Sequence, residues 1–247
     1  MDSLDLRWLG RVDYRAAWDL QHRLAAARAD GRVGDRVLLL EHPPVLTLGR
    51  HADVGHVRIG STELARRGIE VIRVERGGEV TYHGPGQLVA YPIVRLAERE
   101  LLLRPFVRAL EGSMAETCKR LGVEGAGRRD GHPGCWVVDD GGGPARKIGS
   151  LGIRVERGVA YHGLALNVST ELADFDLIDP CGLPEVTMTS IAAEVGRTAE
   201  PPTTASVERA AGVLGPILAE RLGAGSVTIV ASDIDRERAG LERSHAA

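Results

Sequence analysis

Two residues of this chain suit acyl-transfer chemistry: Cys181, within Pro180-Cys181-Gly182, and Lys147, which opens Lys147-Ile148-Gly149-Ser150-Leu151-Gly152. A free thiol has a pKa of about 8.5 and is only slightly ionised near neutrality, and a neighbouring ammonium favours the nucleophilic thiolate. Among 31 basic residues only Lys119 and Lys147 are lysines. A position that must act first as a cation and then as a base cannot be filled by arginine, whose guanidinium keeps its proton. A thiolate attacking an acyl thioester makes a second thioester of similar energy, so the step asks for positioning and oxyanion stabilisation rather than ATP or a metal. An acceptor lysine, with an ordinary pKa near 10.4, must then surrender a proton to a base before it attacks. By residue type alone both positions also have plainer readings, a small buried cysteine and a solvated surface lysine.

Two further segments carry more glycine and histidine than folding asks for: Arg76-Gly77-Gly78-Glu79-Val80-Thr81-Tyr82-His83-Gly84-Pro85-Gly86-Gln87 and Tyr161-His162-Gly163-Leu164-Ala165-Leu166-Asn167. Glycines let backbone approach a bound chain closely and leave N–H groups free for a carbonyl oxygen. With the lysine and cysteine segments, these resemble the lipoyl(octanoyl) transferases, over roughly residues 38–191. The resemblance implies a biotin/lipoate protein ligase-like fold, an acylated cysteine at Cys181 and an activating lysine at Lys147. It implies acyl-binding positions at Arg76, Gly77, Gly78, Glu79, Val80, Thr81, Tyr82 and His83, at Ser150, Leu151 and Gly152, and at Gly163, Leu164 and Ala165. The implied donor is octanoyl-acyl carrier protein; the implied acceptors are lipoyl domains of 2-oxoacid dehydrogenases and the glycine cleavage H protein. Its glycine-rich turn before Arg146 and its Cys135 ahead of Trp136 depart from the family's usual pattern.

The elements that must position these segments follow from periodicity. Val12 to Gly31 reads as an amphipathic helix capped by Asp13, and a stripe of Val107, Leu110, Met114, Cys118 and Leu121 marks a second helix over residues 105–121. Strands are expected at 37–40, 45–48 and 70–74, with a short helix begun by Ser61 and Thr62. Thr81 to His83 and Gln87 to Val94 read as a hairpin around Gly84-Pro85-Gly86; residues 136–138, 148–155 and 159–167 read as a meander. A last long helix is expected over 204–222, and the tail beyond Asp233 reads as polar and frayed. The expected fold class is α/β of the α+β type: one domain over 1–233, a mixed sheet with helices on one side.

Composition narrows the rest. With 43% hydrophobic residues in 247 and a formal charge of -3, the chain can bury a full core and has no excess charge for nucleic acid or an anionic membrane. The N-terminal residues lack the apolar run of a secretory signal, so a cytoplasmic monomer is expected. Three cysteines suit neither a disulfide framework nor a metal clamp, and His42, His51 and His56 read as loop residues without zinc spacing, so no metal or cofactor is expected. Cys118 and Cys135 read as structural thiols and Lys119 as a surface lysine; His83 and His162 read either as orienting an acyl carbonyl or the donor's phosphopantetheine arm or as structural hydrogen-bonding residues, and Asn167 as satisfying backbone groups, none of them as catalytic. The rival readings are an ATP-dependent lipoate or biotin protein ligase, and a non-catalytic binder of acyl carriers using Arg128 and Arg129.

Overall fold

The first residues alternate strictly, Leu4 and Leu6 turned inward while Asp5 and Arg7 face outward, and they form a strand, β1 (Leu4–Arg11). The computed structural model describes residues 3–139, 141, 143–180, 186–197, 206–225 and 227–243. After β1, Asp13 caps α1 (Tyr14–Ala29), its carboxylate accepting from the Ala16 N–H at 3.0 Å. Two strands follow, β2 (Arg36–Glu41) and β3 (Val45–Leu48), then α2 (Ser61–Arg66) and the strands β4 (Glu70–Arg73), β5 (Val80–His83) and β6 (Gln87–Arg95). The helix α3 (Leu103–Arg120) leads into β7 (Ala126–Arg129), β8 (His132–Val137), β9 (Arg146–Glu156) and β10 (Val159–Asn167). The chain ends with β11 (Thr187–Met188), α4 (Ile191–Val195), α5 (Val207–Arg221), β12 (Val227–Ala231) and α6 (Ile234–Arg243).

These elements build a single mixed α/β domain on one large sheet, ordered β12-β1-β2-β6-β10-β9-β8-β7 with β11 added to β9, and a small sheet ordered β4-β3-β5. The expected meander is present, because β8, β9 and β10 pair antiparallel in sequence. The expected hairpin is not. Gly84-Pro85-Gly86 carries the chain from the small sheet to the large one: β5 pairs with β3, and β6 lies between β2 and β10.

Helices cover both faces of the large sheet, not one. On one side Phe106, Leu110 and Met114 of α3 and Ala211, Leu214 and Leu218 of α5 pack on Leu39, Leu88, Ile148 and Leu166. On the other, Ala17, Leu20 and Leu24 of α1 pack on Leu38, Leu40 and Val89. Strands β2 and β6, enclosed on both faces, are accordingly near-continuous apolar runs rather than alternating ones. Residues 234–243, expected as frayed tail, form α6; Leu241 joins the α1 core, and Glu237 accepts from Arg36 at 2.7 Å and Ser232 at 2.7 Å. No helix among the described residues is long and apolar enough to cross a membrane.

Candidate active site

The register of β9 on β10 sets Ser150 opposite Ala165, Leu151 opposite Leu164, and Gly152 opposite Gly163. Two of the segments singled out in the sequence are therefore neighbours on one hairpin. The third, from Arg76, is held against them by a backbone bond from Gly77 N–H to the Ile153 carbonyl at 3.0 Å. Arg76 is buried beneath it, donating to the Thr47 carbonyl at 2.7 Å, the Thr47 hydroxyl at 2.8 Å and the Gly77 carbonyl at 3.0 Å. Glycine is required where these layers touch: a Cβ on Gly152 would stand 2.6 Å from the Gly77 oxygen, and one on Gly163 would stand 2.1 Å from the Ala90 oxygen.

Between the hairpin, the small sheet and the start of α1 lies a narrow cleft, partly open to solvent. Arg76, Gly78, Glu79, Val80, Thr81 and His83 line it from one side, and Ser150, Leu151, Gly152, Gly163, Leu164 and Ala165 from the other. Two expected positions are elsewhere. Tyr82 points into the small sheet's own core, its ring 5.5 Å from Phe175, and Gly77 faces a neighbouring depression. Tyr14 and Tyr91 also line the cleft, a part that sequence reasoning did not give them, and so does His162, whose orienting role the sequence left open.

Its polar rim is a connected set. His83 is fully enclosed; burial, with the nearby His42 and Arg76, pushes its pKa well below the usual histidine range. The neutral ring donates from Nδ1 to Gln87 Oε1 at 2.7 Å, Gln87 donates to Asn167 Oδ1 at 2.9 Å, and Asn167 donates to the Thr189 carbonyl at 2.9 Å. This chain ties the cleft to β11. His42, read in the sequence as a loop residue, is buried, bonded to the Val12 carbonyl at 2.7 Å and the Tyr91 hydroxyl at 2.8 Å, and burial pushes its pKa down to about 4. Burial raises the Tyr14 phenol to about 12 against the pull of Arg76. Burial would also raise Glu75, but hydrogen bonds from His162, His22 and Trp18 overcome it and hold the carboxyl well below its ordinary range.

Lys147 is buried, 4% exposed, on β9 three residues before Ser150. Its Nζ lies 5.2 Å from the centre of the Trp136 ring, a cation–π distance, and Trp136 is pinned by donating to the His132 carbonyl at 2.9 Å. Gly134 keeps the space clear, since a Cβ there would meet Lys147 Cε at 3.0 Å. Strand β11 pairs Met188 with Lys147, and Thr189 N–H donates to the Lys147 carbonyl at 2.9 Å. Upstream, Asp179 N–H is held by the His56 carbonyl at 2.8 Å. Cys181, which falls between Asp179 and Thr189 in the sequence, is outside the described residues.

Other expectations have definite places. Cys118 on α3 and Cys135 on β8 are fully buried, and Lys119 is exposed near Glu124. Arg128 is engaged with Glu111 at 2.6 Å, and Arg129 lies over Trp136 at 5.3 Å. No group of three or more His, Cys, Asp or Glu among the described residues could hold a metal ion.

The sequence profile of the lipoyl protein ligase A/B catalytic domain matches residues 13–211. The chain is 45% identical over 221 residues to the octanoyltransferase of Chloroflexus aurantiacus, covering 89% of this chain and 96% of that one. The chain belongs to the octanoyltransferase family. The octanoyltransferase of Mycolicibacterium gilvum is 49% identical over 197 residues, 80% of this chain and 79% of its own. Among solved structures, lipoate-protein ligase A bound with ATP superposes with a TM-score of 0.67 at 14% identity, covering 98% of this chain and 93% of the other. The bi-partite lipoate protein ligase of Thermoplasma acidophilum gives 0.66 at 15% identity, with 98% and 91% covered. These likenesses share the fold of this octanoyltransferase-family chain.

Proposed function

We propose that the chain moves an octanoyl group from octanoyl-acyl carrier protein, through a thioester on Cys181, to a lysine of a lipoyl domain. The observation that carries this reading is the buried Lys147 on β9, the strand that three to five residues further on supplies Ser150, Leu151 and Gly152 to the cleft. In the first step the Cys181 thiolate, favoured by the Lys147 ammonium, attacks the donor thioester; the carbonyl-to-carrier sulfur bond breaks, and the carrier leaves as its thiol with the proton that Lys147 gives up, which leaves Lys147 neutral. In the second, the acceptor amine gives a proton to neutral Lys147 and attacks the Cys181 thioester, forming an amide and releasing the cysteine thiolate. Neither step consumes ATP, and the amide product makes the second run forward. Lipoyl domains of 2-oxoacid dehydrogenases and the glycine cleavage H protein are the acceptors on this reading, and the enzyme works as a cytoplasmic monomer without a cofactor.

The test is intact-protein mass spectrometry after mixing with octanoyl-acyl carrier protein in the absence of ATP. The expected result is a hydroxylamine-sensitive octanoyl gain that is lost in Cys181→Ser. No gain without ATP, followed by modification of a lipoyl domain once ATP and free octanoate are supplied, would replace the reading with a ligase.

A further inference from the structure

His162 lies in the cleft but has no part in the transfer chemistry above. It stands in mid-strand with φ +57, a left-handed conformation that a residue of this size adopts only when its surroundings impose it. Its N–H donates to Gln21 Oε1 on α1 at 2.9 Å. Successive strand residues normally face opposite ways, yet the Tyr161 and His162 rings stack with centroids 5.2 Å apart. The twist in the backbone has brought both to the same side.

The ring is then fixed. His162 is 1% exposed, and its Nε2 lies 3.0 Å from Glu75 Oε1, itself bonded by His22 at 2.8 Å and Trp18 at 3.2 Å. Nε2 must carry the proton it gives to the carboxylate, which leaves Nδ1 as a buried acceptor, and Nδ1 has no partner among the described residues.

Its position along the cleft assigns it an end. His162 pairs with Ile153, six residues beyond Lys147 on β9 and about 20 Å away at about 3.4 Å per residue. A thioester carbonyl seated between Lys147 and Ser150 leaves the run from Ser150 to Ile153, about 10 Å. An extended octanoyl chain, at about 1.25 Å per carbon–carbon bond along its axis, is about 9 Å long. Beyond His162 the protein is open: its partner Glu75 lines a separate depression with Arg50, Gly77, Ile153 and Val155.

We infer that His162, held by Glu75, is the acyl-length determinant of this cleft, a rigid polar stop at the tail end of a medium-length chain. This rests on the transfer reading above for the direction in which the chain lies. A chain that ends short of the ring leaves Nδ1 undisturbed. Each further methylene must either displace the His162–Glu75 pair or press against an acceptor it cannot satisfy.

The experiment offers donors of six to fourteen carbons to wild type and His162→Gly and reads acyl-enzyme formation by mass spectrometry. Glycine accepts the positive φ without a steric penalty, and His162→Asn, whose shorter side chain also tolerates that conformation, serves if the glycine variant does not fold. Wild type is expected to favour eight carbons over twelve by at least about 10-fold, and His162→Gly to raise the twelve-to-eight ratio by at least about 10-fold. An unchanged ratio in a folded, acylating variant overturns the inference and leaves the transfer reading intact. If wild type forms no adduct with any donor, the transfer reading fails. Calorimetric binding of free octanoate and dodecanoate to both proteins then decides this inference, with the same ratio shift expected and its absence overturning it.

Discussion

Replacing Glu194 with alanine should destabilise the enzyme through the segment beside its lysine. Glu194 is buried on α4 and takes two bonds from Arg146, Nε to Oε1 at 2.8 Å and Nη2 to Oε2 at 2.9 Å, and a third from the Thr189 hydroxyl at 2.6 Å. Arg146 adjoins Lys147 on β9 and is itself only 7% exposed. Removing one partner of a buried pair costs about 3–5 kcal/mol, because the other charge remains enclosed. Asp139 keeps its bonds to Arg146 at 2.7 and 3.0 Å, so the lower end, about 3 kcal/mol, is expected. For a chain of this size that lowers Tm by about 6–12 °C. Burial raises the Glu194 carboxyl, but the bonds from Arg146 and Thr189 outweigh it and the net shift is downward. A depressed carboxylate stabilises above its unfolded pKa of about 4.3 and loses that contribution as pH falls through the folded value. Thermal melts followed by circular dichroism at pH 7 and pH 3.5 measure both effects. A fall of less than about 2 °C at pH 7, or a deficit as large at the lower pH, would refute the reasoning.

Lys147→Arg keeps a cation over Trp136 but cannot accept a proton, so single-turnover assays should show octanoyl transfer to a lipoyl domain falling about 10²–10⁴-fold and acylation of Cys181 falling far less. Equal losses in both steps would remove Lys147 as the base. His42, neutral in the fold with a pKa near 4, stabilises fully above its unfolded value of about 6.5 and loses this as pH falls toward 4. Urea titration should show wild type losing about 2 kcal/mol more stability between pH 7 and pH 5 than His42→Asn does, the remaining slope belonging to the other histidines held neutral by burial, His83 and His162. Gly152→Ala forces a methyl against the Gly77 carbonyl and Arg76, so octanoyl uptake, read by the same adduct assay, should drop at least about 10-fold and Tm should fall by about 2–12 °C.

Much of the site was legible because its motifs are built from residues that folding alone does not select. Gly152 and Gly163 are glycine because backbone of another layer stands where a side chain would go, and that constraint is written in the sequence. The hairpin was misread at Gly84-Pro85-Gly86 because a turn signal fixes a change of direction and not which sheet the chain enters next. The alternation of Leu4 to Arg7 was visible, but its partners β2 and β12 are far along the chain. For α6 the stabilising contacts are Glu237 with Arg36 and Leu241 with the α1 core, long-range pairings that local polarity conceals. His42 and His162 show the same limit, since no local pattern distinguishes a histidine bonded to a buried tyrosine or glutamate from one in a solvated turn.

The division of the cleft between two sheets separates what can change from what cannot. Lys147 belongs to the large sheet, between β8 and β11, while Val80, Thr81 and His83 reach the cleft from the small one. The Gly77 link to Ile153 and the Arg76 bonds to Thr47 are part of the seam between them. On the proposed reading, substitutions along this seam retune which chains are admitted while Lys147 stays in register. Acyl specificity is therefore adjustable along the seam and at His162, without rebuilding the reactive end.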